Sequence, residues 1–190
     1  MEDIIQAARA YALGETEKYW TPKKEHLILS FEKGQELAKT LGANKDIIAL
    51  GTLLMDIKLG ECSKEGNAAE HVQKSTEASK IFLQKLNVAS NIIEEVLVCV
   101  NNHHWTNTHY PSLEAEICAN ADCYRILHPR WFISIIILFG KRNEDTDRTL
   151  AQVENKVEEK YNILSLDICK QELEPYYYQF KKLILEAKEE

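Results

Sequence analysis

The sequence lacks the features that would indicate export, membrane insertion or nucleic-acid binding. The N-terminal segment MEDII is acidic and has neither the basic start nor the apolar middle of a signal peptide. The longest hydrophobic run, residues 131–139, is less than half of the roughly 20 residues that cross a bilayer, so it predicts a buried helix or part of a homo-oligomer face. The net charge is −7, and the chain contains no Lys/Arg-rich block. Both observations argue against nucleic acid or a membrane surface as partners.

Several chemical motifs are also missing. The five cysteines are odd in number and form no CxxC pair, so free thiols in a reducing cytoplasm are expected rather than disulfides or a zinc ribbon. The chain contains no GxxxxGK[ST] loop, no GxGxxG turn and no HExxH helix. These absences exclude the common phosphate-binding loops and the common zinc-protease motif.

The sequence does contain helical periodicity along almost its whole length. The seven glycines and four prolines fall mostly between periodic segments, and no hairpin signal occurs. The pattern predicts an all-α protein with one domain over residues 1–190, made of a core of about 1–127 and a helical extension of about 128–190. The predicted helices are about 2–13, 22–41, 46–58, 69–87, 90–102, 112–127, 130–139, 147–163 and 166–188.

Two of these helices carry residues repeated every three or four positions, which predicts a face turned to the core. The two sets are Ile47, Leu50, Leu54 and Ile57 in one helix, and Val72, Ser75, Ala78 and Phe82 in another.

Five candidate metal ligands fall near helix ends. His26 lies one turn into a predicted helix, Asp56 near the end of the next, His71 near the start of the third, and His103 and His104 at the end of the fourth. Short connections make neighbouring helices antiparallel, so we expect these positions to meet at one end of the bundle. One of the two adjacent histidines should complete the pocket.

Asp122 is a sixth candidate in a less favourable place. It lies ten residues into its predicted helix, about 15 Å along the axis, so simple up-down packing would carry it away from the other five. Residues 105–111 must reposition that helix if Asp122 is to reach the site.

Histidines and carboxylates together suit divalent ions such as Mn, Fe, Co, Ni, Zn or Mg. Such an ion can orient a phosphoryl oxygen and activate water, which is the chemistry of a hydrolase. Nucleophilic catalysis by Cys99, Cys118 or Cys123 is an alternative, although all three lie in apolar helices where a structural role is more common.

The order and spacing of these residues resemble a known family. His26, the segment LLMDI at 53–57, His71, the pair His103-His104 and the segment CANADC at 118–123 follow the pattern H…HD…H…H…D of the HD-domain phosphohydrolases. The segment PSLEAEI at 111–117, followed by Ala121-Asp122, is similar to the small bacterial and archaeal members.

The resemblance implies a compact all-α HD-domain bundle that hydrolyses a nucleotide or another small phosphorylated metabolite. It implies metal binding by His26, Asp56, His71, His103, His104 and Asp122. Asp56 and His71 are the residues that it assigns to catalysis.

One residue departs from the family pattern, because Met55 stands where the histidine of the HD pair should be. A thioether is a poor ligand for hard ions, so metal binding is expected to be weakened or lost. Leu59 stands where some nucleotidases of this family have glutamate, which leaves Glu61 as a substitute acid. Two classes therefore stay open: an active phosphohydrolase, and a catalytically impaired HD protein that serves as a ligand-binding or oligomerisation module.

Overall fold

A computed structural model of the chain describes residues 1–104, 109–143 and 145–188. Over these residues the protein is all-α, as predicted, and contains no strand. The helices are α1 (Glu2–Tyr19), α2 (Lys24–Leu41), α3 (Lys45–Leu54), α4 (Leu59–Lys64), α5 (His71–Lys85), α6 (Ser90–Asn102), α7 (Leu113–Leu127), α8 (Pro129–Asn143), α9 (Thr146–Ile163) and α10 (Asp167–Lys188), with a single 3₁₀ turn at Ala68–Glu70.

The region around Asp56 differs from the sequence prediction. The predicted helix 46–58 ends at Leu54, and the next residues form tight turns in which the Leu59 amide donates to the Asp56 carbonyl at 3.0 Å. A short helix, α4, then occupies residues that lie between two of the predicted helices. Asp56 therefore lies in a turn between two helices, where its side chain is not confined to a helix face.

The chain divides into two compact units, Met1–Asp122 and Cys123–Glu190, with the boundary inside α7. The predicted division at about residue 127 into core and extension stays a prediction. No helix in the described ranges is both long enough and apolar enough to span a bilayer.

Helix α3 is the centre of the first unit. Its residues from Ile47 to Leu54 are all buried, and it packs against α2 and α6. The Asn44 side chain caps the helix by accepting hydrogen bonds from the amides of Asp46 and Ile47 at 3.1 and 3.4 Å. This helix leads directly into the turn that holds Asp56.

Gly51 allows a close contact between three helices of this unit. A Cβ added at Gly51 would lie 2.7 Å from the Cys99 Cβ atom on α6 and 2.8 Å from the Cys118 Sγ atom on α7. Any larger side chain would therefore push these helices apart. The close approach helps to position α6, and with it the two histidines that follow this helix.

The second unit is held together by aromatic stacking and charged contacts. The rings of Phe132 and Phe180 stack with their centroids 3.8 Å apart, and those of Tyr161 and Tyr177 stack at 3.7 Å. Asp145 caps α9 by accepting from the Arg148 amide at 2.6 Å.

Candidate metal centre

Four of the six predicted ligands come together in the first unit. Asp56 lies in the turn after α3, His71 is the first residue of α5, and His103 and His104 follow the last residue of α6. One ligand atom from each of these residues lies within 4.8 Å of the others. The first three are buried and His104 is half-buried. Both members of the adjacent pair take part, whereas the sequence argument expected one.

Two of the histidines point at the same carboxylate oxygen. The Nε2 atoms of His71 and His103 lie 3.2 and 3.4 Å from Oδ1 of Asp56. The ring of His104 meets the other two edge-on, with centroids 4.4 Å from His103 and 5.1 Å from His71. Three imidazoles therefore surround one carboxylate.

The backbone determines which nitrogen of each ring carries the proton. The Nδ1 atom of His71 lies 2.7 Å from the Ala68 carbonyl, and that of His103 lies 2.7 Å from the Val100 carbonyl. Because a carbonyl can only accept, each Nδ1 must donate, which leaves Nε2 as the lone-pair atom of the neutral ring. Sequence reasoning missed both carbonyls, since no side-chain motif signals a main-chain acceptor.

The neutral tautomers bring lone pairs face to face. The Nε2 atoms of His71 and His103 lie 3.2 and 3.4 Å from the Asp56 Oδ1 atom in a buried position. All three of these atoms are hydrogen-bond acceptors. Such acceptors repel one another unless a proton or a cation lies between them. A single metal cation would satisfy both contacts at once.

The donor set fits a transition-metal ion. Nitrogen and carboxylate ligands bind zinc and similar ions at about 2.0–2.2 Å, so two ligands of one ion lie at most about 4.4 Å apart. The observed spread of up to 4.8 Å therefore needs only a small contraction. Three imidazoles and one carboxylate favour borderline ions such as Zn, Fe, Co, Ni or Mn over Mg, which prefers oxygen ligands and water.

His26 and Asp122 are not members of the four-residue cluster. Both side chains are buried, with exposed fractions of 4% and 0%. Of residues 105–111, which were expected to reposition α7, residues 105–108 lie outside the described ranges. The assignment of His26 and Asp122 as ligands stays a prediction.

Met55 is buried at the C-terminal end of α3, with 2% of its surface exposed. The cluster of Asp56 and three histidines forms without a ligand at this position. Four candidate donors are therefore present without a contribution from residue 55.

Glu61, the predicted substitute acid, is engaged elsewhere. Its Oε2 atom lies 2.6 Å from Lys58 Nζ, which also lies 3.3 Å from Glu15 Oε2. The hydrogen bond with Lys58 lowers the pKa of Glu61 below its usual value, against the opposing effect of burial. A carboxyl that loses its proton so readily is a poor general acid at neutral pH.

The cysteines do not fit a nucleophilic role. All five are free and buried. A hydrogen bond with Cys99, followed by burial, raises the pKa of the Cys118 thiol well above its usual range, so the reactive thiolate is scarce.

No protein-family model and no curated protein matches the sequence. The structure is similar to the crystal structure of a predicted HD superfamily hydrolase from an uncultured Thermotogales bacterium. The match has a TM-score of 0.58 at 17% sequence identity and covers 83% of this chain and 85% of the other. The likeness shows that the two proteins share an all-α fold.

Proposed function

We propose that the protein is a metal-dependent hydrolase that cleaves a nucleotide or another small phosphate ester. The observation that carries the proposal is the convergence of the His71 and His103 Nε2 atoms on Asp56 Oδ1 at 3.2 and 3.4 Å. The fold supports it, because the similar crystal structure is described as that of a predicted HD superfamily hydrolase.

Asp56, His71, His103 and His104 would hold the cation. When bound, such an ion polarises a phosphoryl oxygen and lowers the pKa of a coordinated water. Asp56 supplies the negative charge of the site, and the carbonyl-bound histidines present their lone pairs without needing to reorient. Asp56 and His71 are the residues that we assign to catalysis, and His26 and Asp122 stay proposed ligands.

The burial of the cluster suits this chemistry. With His103 fully buried and Asp56 and His71 nearly so, little water competes for the ligand atoms. A low-dielectric surrounding also strengthens the attraction between the carboxylate and a cation.

A second candidate function is a catalytically impaired binding or oligomerisation module. Two points favour it. Residue 55 is Met at the position where the family resemblance places a histidine ligand. Glu61, the acid suggested as a substitute for the family glutamate, is paired with Lys58. Such a protein would keep the fold and the four-residue cluster but lack a proton donor for the leaving group. It would bind a cation and turn over phosphate esters slowly or not at all.

We further propose that the protein works in the cytoplasm on small phosphorylated molecules. The five free cysteines support a reducing compartment. The net charge of −7 supports small ligands rather than nucleic acid as partners.

Metal analysis of the purified protein, with calorimetric titrations of Zn, Mn and Mg, tests metal binding. We expect about one transition-metal ion per chain and much weaker binding of Mg. Asp56→Asn keeps the shape of the side chain but removes its charge, so it should lower metal affinity by at least about tenfold. His109→Gln removes an exposed histidine outside the cluster and is the matched control, expected to bind like the native chain.

Activity assays separate the two candidate functions. A screen of nucleotides and generic phosphate esters should detect turnover in the native protein that Asp56→Asn abolishes. Stoichiometric metal without turnover would favour the binding module. Metal binding that appears only in Met55→His would show that the four-residue cluster is insufficient alone, and absence of metal from both forms would refute the proposed function.

A further inference from the structure

The connection between α4 and α5 presents His71 to the cluster, and it is held by side chains. The Oε2 atom of Glu70 lies 2.9 Å from the Asn67 Nδ2 donor and 3.4 Å from Lys74 Nζ. Lys74 also pairs with Glu65 Oε2 at 3.1 Å. These contacts join residues before, within and after the 3₁₀ turn, so they enclose the Ala68 carbonyl that accepts from His71.

His103 needs no such support. Its acceptor, the Val100 carbonyl, belongs to the last turn of helix α6 and is buried. The acceptor for His71 belongs to a turn of three exposed residues, Ala68–Glu70, in which the His71 amide is the other donor to the Ala68 carbonyl. Of the two carbonyl contacts, the one to His71 is the easier to lose.

We propose that Glu70 is a positioning residue that keeps the Ala68 carbonyl directed at His71 Nδ1 and thereby presents His71 Nε2 to the metal site. The part of this inference that concerns the metal rests on the proposed function. The part that concerns the tautomer of His71 does not, because it applies to the metal-free protein.

The physical reason is that one carboxylate oxygen restrains both sides of the turn. When Glu70 is shortened, Asn67 and Lys74 lose their shared acceptor, and the exposed turn gains freedom to point the Ala68 carbonyl at water. The Nδ1 proton of His71 then has a weaker partner, so the other tautomer, which has no lone pair on Nε2, becomes populated. Residues that orient a metal ligand directly change affinity by about 10- to 100-fold, so this more remote group should change it by about three- to tenfold.

Three variants test the inference: Glu70→Ala, Glu70→Gln and Glu77→Ala. Glutamine keeps an oxygen that can accept from Asn67 and Lys74. Glu77 is the matched control, because it is an exposed glutamate of α5 that accepts a hydrogen bond from Gln73 at 3.1 Å.

The first measurement is long-range ¹H–¹⁵N NMR of the metal-free proteins in alkaline buffer, which distinguishes the two histidine tautomers. We expect His71 to be protonated on Nδ1 in the native chain, Glu70→Gln and Glu77→Ala, and to show a mixture of tautomers in Glu70→Ala. His103 should keep its Nδ1 proton in all four proteins. An unchanged His71 tautomer in Glu70→Ala would overturn the inference, as would a glutamine variant that behaves like the alanine variant.

The second measurement is the dissociation constant for Zn²⁺ alone. It should rise about three- to tenfold in Glu70→Ala and by less than about twofold in the other two variants. If Glu70→Ala changes the tautomer of His71 but the native chain binds no Zn²⁺, the proposed function is refuted and the positioning role of Glu70 is supported. A changed tautomer with unchanged Zn²⁺ affinity would refute the link between the turn and the metal site.

Discussion

Replacement of Gly51 by alanine tests the packing that places the candidate ligands. In an exposed helix the change from glycine to alanine stabilises by about 1 kcal/mol. At Gly51 the new Cβ would lie 2.7 Å from the Cys99 Cβ atom and 2.8 Å from the Cys118 Sγ atom, against an ordinary contact of about 3.5–4 Å. The Cys99 atom can move only with the backbone of α6, so we expect an overpacking cost of about 2–3 kcal/mol. The net change is then a loss of about 1–2 kcal/mol.

Gly14→Ala is the matched control, because it adds the same Cβ atom at a position where no clash results. Gly14 is exposed in α1, and an added Cβ would meet no atom within 4 Å. Gly14→Ala should therefore raise the free energy of unfolding by about 0.5–1 kcal/mol. Urea denaturation of the native chain and the two variants gives both changes. Equal stabilisation by Gly51→Ala and Gly14→Ala would refute the close contact of α3 with α6 and α7.

Three further predictions concern single residues. Gly66 has φ of +79°, so Gly66→Ala should lower the free energy of unfolding by about 1 kcal/mol in urea denaturation, and no change would argue against this turn. Glu61 has a pKa below its usual 4.5 because of Lys58, so its contribution to stability is present above that pH and is lost as pH falls through the lowered value. Glu61→Gln should flatten the acid side of the stability profile, measured by thermal unfolding, and an unaltered acid slope would contradict the ion pair. Asn44→Ala should cost about 1 kcal/mol by removing the cap of α3, measured by the same denaturation, whereas a neutral result would mean that water replaces the cap.

The buried positions of α3 could be predicted from the sequence, but those of α5 only in part. Ile47, Leu50 and Leu54 are buried as predicted, and so is Ile57 in the turn that follows α3. In α5 the buried positions are His71, Ser75, Ser79 and Leu83. Ser75 belongs to the predicted face, whereas Val72, Ala78 and Phe82 are half-buried. Three of the four buried residues are polar, so hydropathy shifted the predicted face by one position.

The convergence of Asp56, His71, His103 and His104 could be predicted because each of them lies near a predicted helix end. Their convergence follows from short connections and antiparallel packing, which require no side-chain detail. The turn at Asp56 was not predicted, because residues 53–57 continue an apolar helical pattern and nothing in them marks a stop. The contact of Lys58 with Glu15 of α1 was not predicted either, because the two residues lie 43 positions apart in the chain.

The burial of the cluster determines how fast a cation could exchange. With the side chains of Asp56 and His103 3% and 0% exposed, a chelator in solution has little access to these two residues while the helix ends remain packed. Release would wait for a local opening of the turn after α3 or of the end of α6. The rate of metal removal should then be independent of chelator concentration once the chelator is in excess. It should also match the opening rate that amide hydrogen exchange measures in these segments. A cell that supplies the ion during folding would obtain a protein that retains it for far longer than its affinity alone suggests.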